Sequence, residues 1–240
     1  MRLMIAFVLS ALAALPLAAD PAQIRPVSRA TAMDQLVDAS VALPVRDISA
    51  DVRPIARDEI FPRMRWDHRG EHALWTRAAM EAVQGHGAPL VQMVPGDIAD
   101  WCPAYPENGP EARAAFWVGF MSALSKHEST YKPRAVGGGG KWYGLLQILP
   151  ATARGYGCRA GTGEALKSGP ANLSCAARIM AVTVQRDGVI HARQPRWSGV
   201  SADWGPMRSP SKRADMANWL KKQSYCKSLK SLRPSARPSN

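Results

Sequence analysis

Residues 127 to 153, HESTYKPRAVGGGGKWYGLLQILPATA, set one carboxylate, Glu128, beside His127 and just ahead of four consecutive glycines, Gly137 to Gly140. Three chemistries could use such a stretch: a metal site, a phosphate cradle, or a single acid held over a glycosidic bond. A zinc-protease H-E-x-x-H needs a second histidine one helical turn on, and position 131 is tyrosine. A P-loop needs Ser or Thr after its lysine to hold magnesium. Here Lys141 is followed by Trp142, and no buried strand leads into the glycines. Neither reading survives, so no metal and no cofactor are expected.

The third chemistry asks less of the sequence. Breaking a sugar–sugar bond needs a carboxyl group that protonates the departing oxygen, and it does so if its pKa is raised toward neutrality. A glutamate at the C-terminal end of a buried helix meets that condition. Apolar neighbours and the negative end of the helix dipole both disfavour its charged form. The glycines let backbone approach a bulky polymer, and Trp142 and Tyr143 offer flat faces to sugar rings. Residue types alone leave a partly buried structural glutamate as the competing reading.

The elements that must hold Glu128 are helical. NGPEARAAFWVGFMSALSKHES offers Asn108 as an N-cap, Pro110 in the first turn and Glu111 three residues after the cap. Phe116, Phe120, Ala123 and Leu124 recur at helical spacing and should face the core. Pro133 disfavours helix at Lys132, so the helix should stop near Glu128 to Thr130. PATARGYG predicts a short helix opened by Pro150. ANLSCAARIMAVTVQRDG predicts a longer one with Leu173, Ala176, Ala177, Met180, Ala181 and Val184 on one face. A last helix near SKRADMANWLKKQSYC should turn Met216, Ala217 and Leu220 inward. Upstream, EHALWTRAAMEAVQ shows helical spacing at Leu74, Ala78 and Ala82 with Trp75 and Ala79 beside them, ended by Gly85-His86-Gly87. No stretch alternates convincingly at period two, so the fold class is mainly α.

HEST followed by AVGGGGKWYGLLQILPATA resembles the soluble lytic transglycosylase family, which has a lysozyme-like fold. That family carries Glu-Ser, a loop, and then Gly-Leu-(Met/Leu)-Gln-(Ile/Leu)-x-Pro-x-Thr-Ala. Glu128-Ser129 matches the first block. Gly144, Leu145, Leu146, Gln147, Ile148, Pro150, Thr152 and Ala153 match the second in order. An Asn opening an Ala-rich helix, Asn172 to Ala181, matches a third. The resemblance spans roughly residues 112 to 190. It implies that Glu128 cleaves the bond between N-acetylmuramic acid and N-acetylglucosamine in peptidoglycan and leaves a 1,6-anhydro sugar. It also implies that Ser129 orients substrate or acid, that Gln147 hydrogen-bonds in the cleft, and that Gly144 permits close packing beside the acid. Leu145, Leu146 and Ile148 read as core. The family's Ala-Tyr-Asn-x-Gly segment is missing. SGVSADWGPMRS is the nearest stretch, where Trp204 either fills the site or packs. A muramidase on the same scaffold, or a noncatalytic wall-binding assembly protein, stays open; neither Glu164 nor Asp187 sits in a recognisable motif.

The ends of the chain bear on compartment. Met1-Arg2, the apolar run Leu3 to Leu15 and small residues before Asp20 have the anatomy of a secretory signal peptide cleaved after Ala19. That run is too short to span a bilayer, and no later segment is apolar enough. The mature protein is therefore expected to be soluble, in the periplasm or secreted. Four cysteines in an oxidising compartment predict disulfides, and no C-x-x-C pair suggests zinc. Of three pairings, Cys158 with Cys175 is the local one, which leaves Cys102 with Cys226. The net charge is +12, and from Ala192 onward eleven Lys/Arg face two acids. That charge suits an anionic partner: a cell-wall polymer, anionic lipid headgroups or nucleic acid. With the family resemblance, the expected partner is the peptidoglycan glycan strand and not nucleic acid, and an envelope-machinery partner stays unknown. The expected organisation is a leader (1–19), a partly irregular extension (20–95), a catalytic domain (96–228) and a basic disordered tail (229–240).

Overall fold

The centre of the fold is a helix buried on every side. Between Arg113 and Lys126 the chain carries no charge, and a helix apolar all round must be enclosed by its neighbours. In the computed structural model, which describes residues 61–227, every residue from Ala114 to Ser125 is buried. The expected leader, most of the extension and the expected tail lie outside the described residues.

Seven α-helices are described. They are α1 (His72–Gln84), α2 (Ala88–Gln92), α3 (Pro110–Glu128), α4 (Pro150–Gly155), α5 (Gly163–Leu166), α6 (Gly169–Asp187) and α7 (Pro210–Leu220). Two antiparallel pairs of two-residue strands join them: β1 (Val136–Gly137) with β2 (Trp142–Tyr143), and β3 (His191–Ala192) with β4 (Ser198–Gly199). The buried helix is α3. It packs against α1, α2 and α7, and α6 lies against α1 and α2. The mainly helical fold expected from the sequence is the fold observed.

Aromatic side chains fill the layer around α3. Trp117 donates from Nε1 to Leu90 O at 2.9 Å, and Tyr105 Oη donates to the same carbonyl at 2.8 Å. Phe116 and Phe120 pack edge-on against Trp117. Each such ring removed from water contributes roughly 1.5–3 kcal/mol. Residues 64–92, placed by the sequence in an extension, contribute Met64, Trp66, Trp75, Val83 and Leu90 to this same core.

One local expectation is refined and another corrected. Of the α1 stripe, Trp75, Ala79 and Ala82 are buried together with Thr76 and Val83, while Leu74 is half exposed, because the large indole takes the inner position. Asn108 does not cap α3: Gly109 holds that position without a side-chain bond, and Asn108 Nδ2 instead donates to Tyr225 O at 2.6 Å.

Both expected disulfides are present, Cys102–Cys226 and Cys158–Cys175, with sequence separations of 124 and 17. In the chain-entropy picture the long loop is worth about 5 kcal/mol and the short one about 3. Cys102–Cys226 fastens the end of the described chain to the segment that leads into α3. Among the described residues no helix is long and apolar enough to cross a membrane.

Candidate active site

Glu128 is the last residue of α3. The helix stops there because Ser129 spends its hydroxyl on the chain end, accepting from Lys132 N at 3.2 Å and donating to Ser125 O at 3.4 Å. The next two residues are left-handed, Thr130 at φ 52° and Tyr131 at φ 59°. Side chains there cost on the order of 1–3 kcal/mol each and persist only where packing holds them. Tyr131 is held: its ring is buried and lies 4.9 Å from that of His68. Ser129 therefore shapes the turn behind the acid.

Among the described residues no hydrogen bond or ion pair reaches the Glu128 carboxyl. Burial pushes its pKa up from 4.5 to about 7, with the Lys212 ammonium opposing the rise. A carboxyl in this state gives up a proton easily at neutral pH and takes one back as easily. One residue earlier the situation is reversed. Asp215 on α7 accepts from Arg65 through both oxygens at 2.7 and 2.9 Å, from Lys126 at 3.3 Å, and lies 2.7 Å from His127 Nε2. The Arg65 bonds hold the Asp215 carboxyl well below its ordinary range. His127 is thus an Asp215 partner, and its ring is pushed below its usual pKa chiefly by burial.

The tetraglycine forms the turn of the β1–β2 hairpin, with Gly138, Gly139 and Gly140 at φ 57°, 64° and 91°. A Cβ on Gly137 would strike Gln147 Oε1, and one on Gly138 would strike the Trp142 ring. The glycines are needed because the hairpin closes on these two side chains. Gln147, itself left-handed at φ 47°, donates from Nε2 to Gly144 O at 2.9 Å and Ala135 O at 3.2 Å. Its amide clamps the hairpin to the following turn. Asn172, fully buried, holds that turn from below by accepting from Leu146 N at 2.9 Å and donating to Tyr143 O at 2.9 Å. Gly144 lies against Asn172 and Leu166 O, so its close approach is to that pin rather than to the acid.

Trp142, Gln147 and Trp204 come together on a crevice of about 80 Å³ with Thr152 and Asp203. Trp142 is 45% exposed and Trp204 only 3%. Trp204 packs, its Nε1 donating to Leu146 O at 2.9 Å. Tyr143 is not in the crevice lining. Its hydroxyl donates to Gly140 O at 2.6 Å, and its ring fills the space a Cβ would need on Gly163. A cavity of about 500 Å³ is lined in part by Asn108, Pro110 and Arg113, at the opposite end of α3 from Glu128.

The sequence did not single out Arg65, Asp203, Lys212 or Asp215. Asp203 lines the crevice, and burial raises its carboxyl above the ordinary range against the pull of Arg186 and Arg208. The other downstream acids are engaged elsewhere. Asp187 bonds Arg186 and accepts from Gly199 N, and Glu164 pairs with Lys167 on the surface.

Residues 107–191 match the family described as the transglycosylase SLT domain. Among solved structures, the chain is similar to wild-type DslA (Bd0314), form 2, with a TM-score of 0.62 and 26% identity over 67% of this chain and 95% of that one. A glutamate-to-glutamine variant of the same protein gives 0.64 and 25% over 70% and 99%. Among curated proteins, none matches the sequence.

Proposed function

We propose that this chain, which carries a transglycosylase SLT domain over residues 107–191, is an exported peptidoglycan lytic transglycosylase with Glu128 as its single acid and base. The domain implies a peptidoglycan substrate. The observation that carries the finer reading is a buried carboxyl without a partner, its pKa near 7, standing first in the Glu-Ser pair that the family uses. Glu128 protonates the oxygen that links muramic acid to the next sugar, and the glycosidic bond breaks. The muramic C6 hydroxyl then attacks its own anomeric carbon and passes its proton to Glu128. Acid is regenerated, no water is consumed, and the product is a 1,6-anhydro sugar. Trp142, half exposed at the crevice mouth, supplies a face for a sugar ring. Gln147 and Ser129 act by holding the hairpin and the turn in place. Two disulfides and the leader-like first nineteen residues support an oxidising compartment outside the cytoplasm.

Mass spectrometry of the products from purified sacculi tests this. Anhydro ends, one water lighter than reducing ends, are expected. Asp203 favours a second reading, because a carboxylate beside the crevice could activate water, as glycosidases with two carboxylates do. Reducing ends that carry solvent oxygen-18, and that disappear in Asp203→Asn, would make the protein a muramidase.

A further inference from the structure

A second cavity, about 280 Å³, opens beside the Cys158–Cys175 disulfide. Its wall on α6 is built from Ala171, Ser174, Cys175 and Arg178, at the i, i+3, i+4, i+7 spacing that puts side chains on one helical face. The disulfide fixes the opposite wall, because Arg159 follows directly on Cys158. His86 closes the cavity, with Nε2 2.8 Å from Ser174 O. No carboxylate lines it.

Arg178, in that wall, stands out against the rest of the molecule. Four arginines among the described residues are half-buried: Arg65, Arg113, Arg178 and Arg213. Arg65 binds Asp215, Arg113 binds the carbonyls of Tyr105, Val91 and Pro106, and Arg213 binds Met207 O. Among the described residues Arg178 has no hydrogen bond or ion pair, and neither does Arg159 across the cavity from it. A half-buried guanidinium left without an acceptor, on a cavity that an exposed second arginine also lines, is a seat for an oxyanion, which it can grip with two parallel N–H bonds.

The position says which oxyanion. The crevice that holds Trp142 and Gln147 meets α6 at Ile179, one turn from Cys175, or about 6 Å along the axis. Its other wall includes Thr152 on α4, and Cys158 to Ala160 begin three residues after that helix ends at Gly155. The two cavities are neighbours along the same pair of elements. We infer that the basic cavity binds a carboxylate of the peptide that branches from the wall glycan while the glycan lies in the crevice; this rests on the wall reading above. The cavity lies just under the roughly 300–1,000 Å³ usual for small-molecule sites, which fits a peptide end better than a whole sugar.

Calorimetric titration of the full chain with a synthetic acidic wall peptide, its carboxamide form and inorganic phosphate tests the inference. The acidic peptide should bind, and the carboxamide should bind at least tenfold more weakly. Arg159→Gln with Arg178→Gln should lose at least tenfold, and Arg178→Lys should recover part of that loss. On glycan strands the double variant should show a raised KM when peptides are attached and an unchanged rate when they are stripped off, which also shows that it folds. Equal peptide binding by the double variant, or phosphate binding as tightly as peptide, would overturn the assignment. Failure of all wall cleavage would sink the wall reading while leaving the titration to decide the cavity on its own.

Discussion

Glu128 and Asp215 are both carboxylates at the same end of α3, and they are treated in opposite ways. Asp215 gathers Arg65, Lys126 and His127 and fastens α7 and the N-terminal segment to the helix end. Glu128, one residue beyond His127, is partly buried, with no hydrogen-bond or ion-pair partner and only the opposing field of Lys212. One carboxyl is saturated and driven below its usual range; the other is stripped and driven up. A saturated carboxyl holds structure together. A stripped one stays able to exchange a proton, because no hydrogen bond or ion pair holds its charged form and only the Lys212 field favours it.

The sharpest way to break this contrast is Glu128→Gln. The amide keeps the shape and cannot donate the proton, so wall clearing should fall at least a hundredfold, on the order of the contribution of a general acid. A variant that clears sacculi at near wild-type rate would remove Glu128 from the mechanism.

The same substitution should stabilise the fold. The folded carboxyl titrates at about 7 against an ordinary 4.5, so the neutral form is favoured by folding. Wild-type stability is therefore intact below about pH 4.5, falls as pH rises toward 7, and stays reduced above it. Denaturant melts at pH 8 should show Glu128→Gln more stable by up to about 3 kcal/mol, and melts at pH 4 should show no difference. Equal stability at both pH values would mean that the carboxyl is better solvated than its surroundings suggest.

Asp215→Asn should do the reverse. Its folded pKa is depressed, so its contribution is present above the unfolded value and is lost as pH falls through the folded one. The side chain is about a third exposed, and solvent screening reduces the loss at pH 7 to about 1–2 kcal/mol. Thermal melts at pH 7 and pH 2 would read this out, with the gap between wild type and variant narrowing at the lower pH. The smallest effect belongs to Lys212→Met. Removing the ammonium should move the basic limb of the pH–rate profile further up from about 7, by less than burial has already moved it. A downward movement would show that Lys212 does not act on Glu128 through its charge.

The sequence made some of this legible and hid the rest, for physical reasons. The uncharged run from Ala114 to Ser125, and the proline at 133, are local signals, and α3 ends at Glu128 as they require. The count of cysteines with the closeness of Cys158 to Cys175 in sequence also led to the observed disulfides. Asp215 could not be found this way, because its partners lie 88 to 150 residues distant and no spacing rule links them. The tetraglycine was readable as an unusual backbone, but its partners were not. Only the three-dimensional closure of Gln147 and Trp142 onto Gly137 and Gly138 explains why side chains are excluded there. Asn108 looked like a cap by type and position, yet Tyr225 O, at the other end of the chain, claimed its amide.

The left-handed pair Thr130 and Tyr131 has a consequence for how this protein would respond to artificial selection. Glycine at 130 would relax the backbone, and glutamine at 128 would relieve the buried charge, so a library screened only for heat resistance should accumulate both replacements. A library screened for wall clearing should reject the second and resist the first, since a looser turn would let the helix end wander. Sequencing survivors from the two screens side by side would mark residues 128 to 131 as the place where durability and turnover pull in opposite directions.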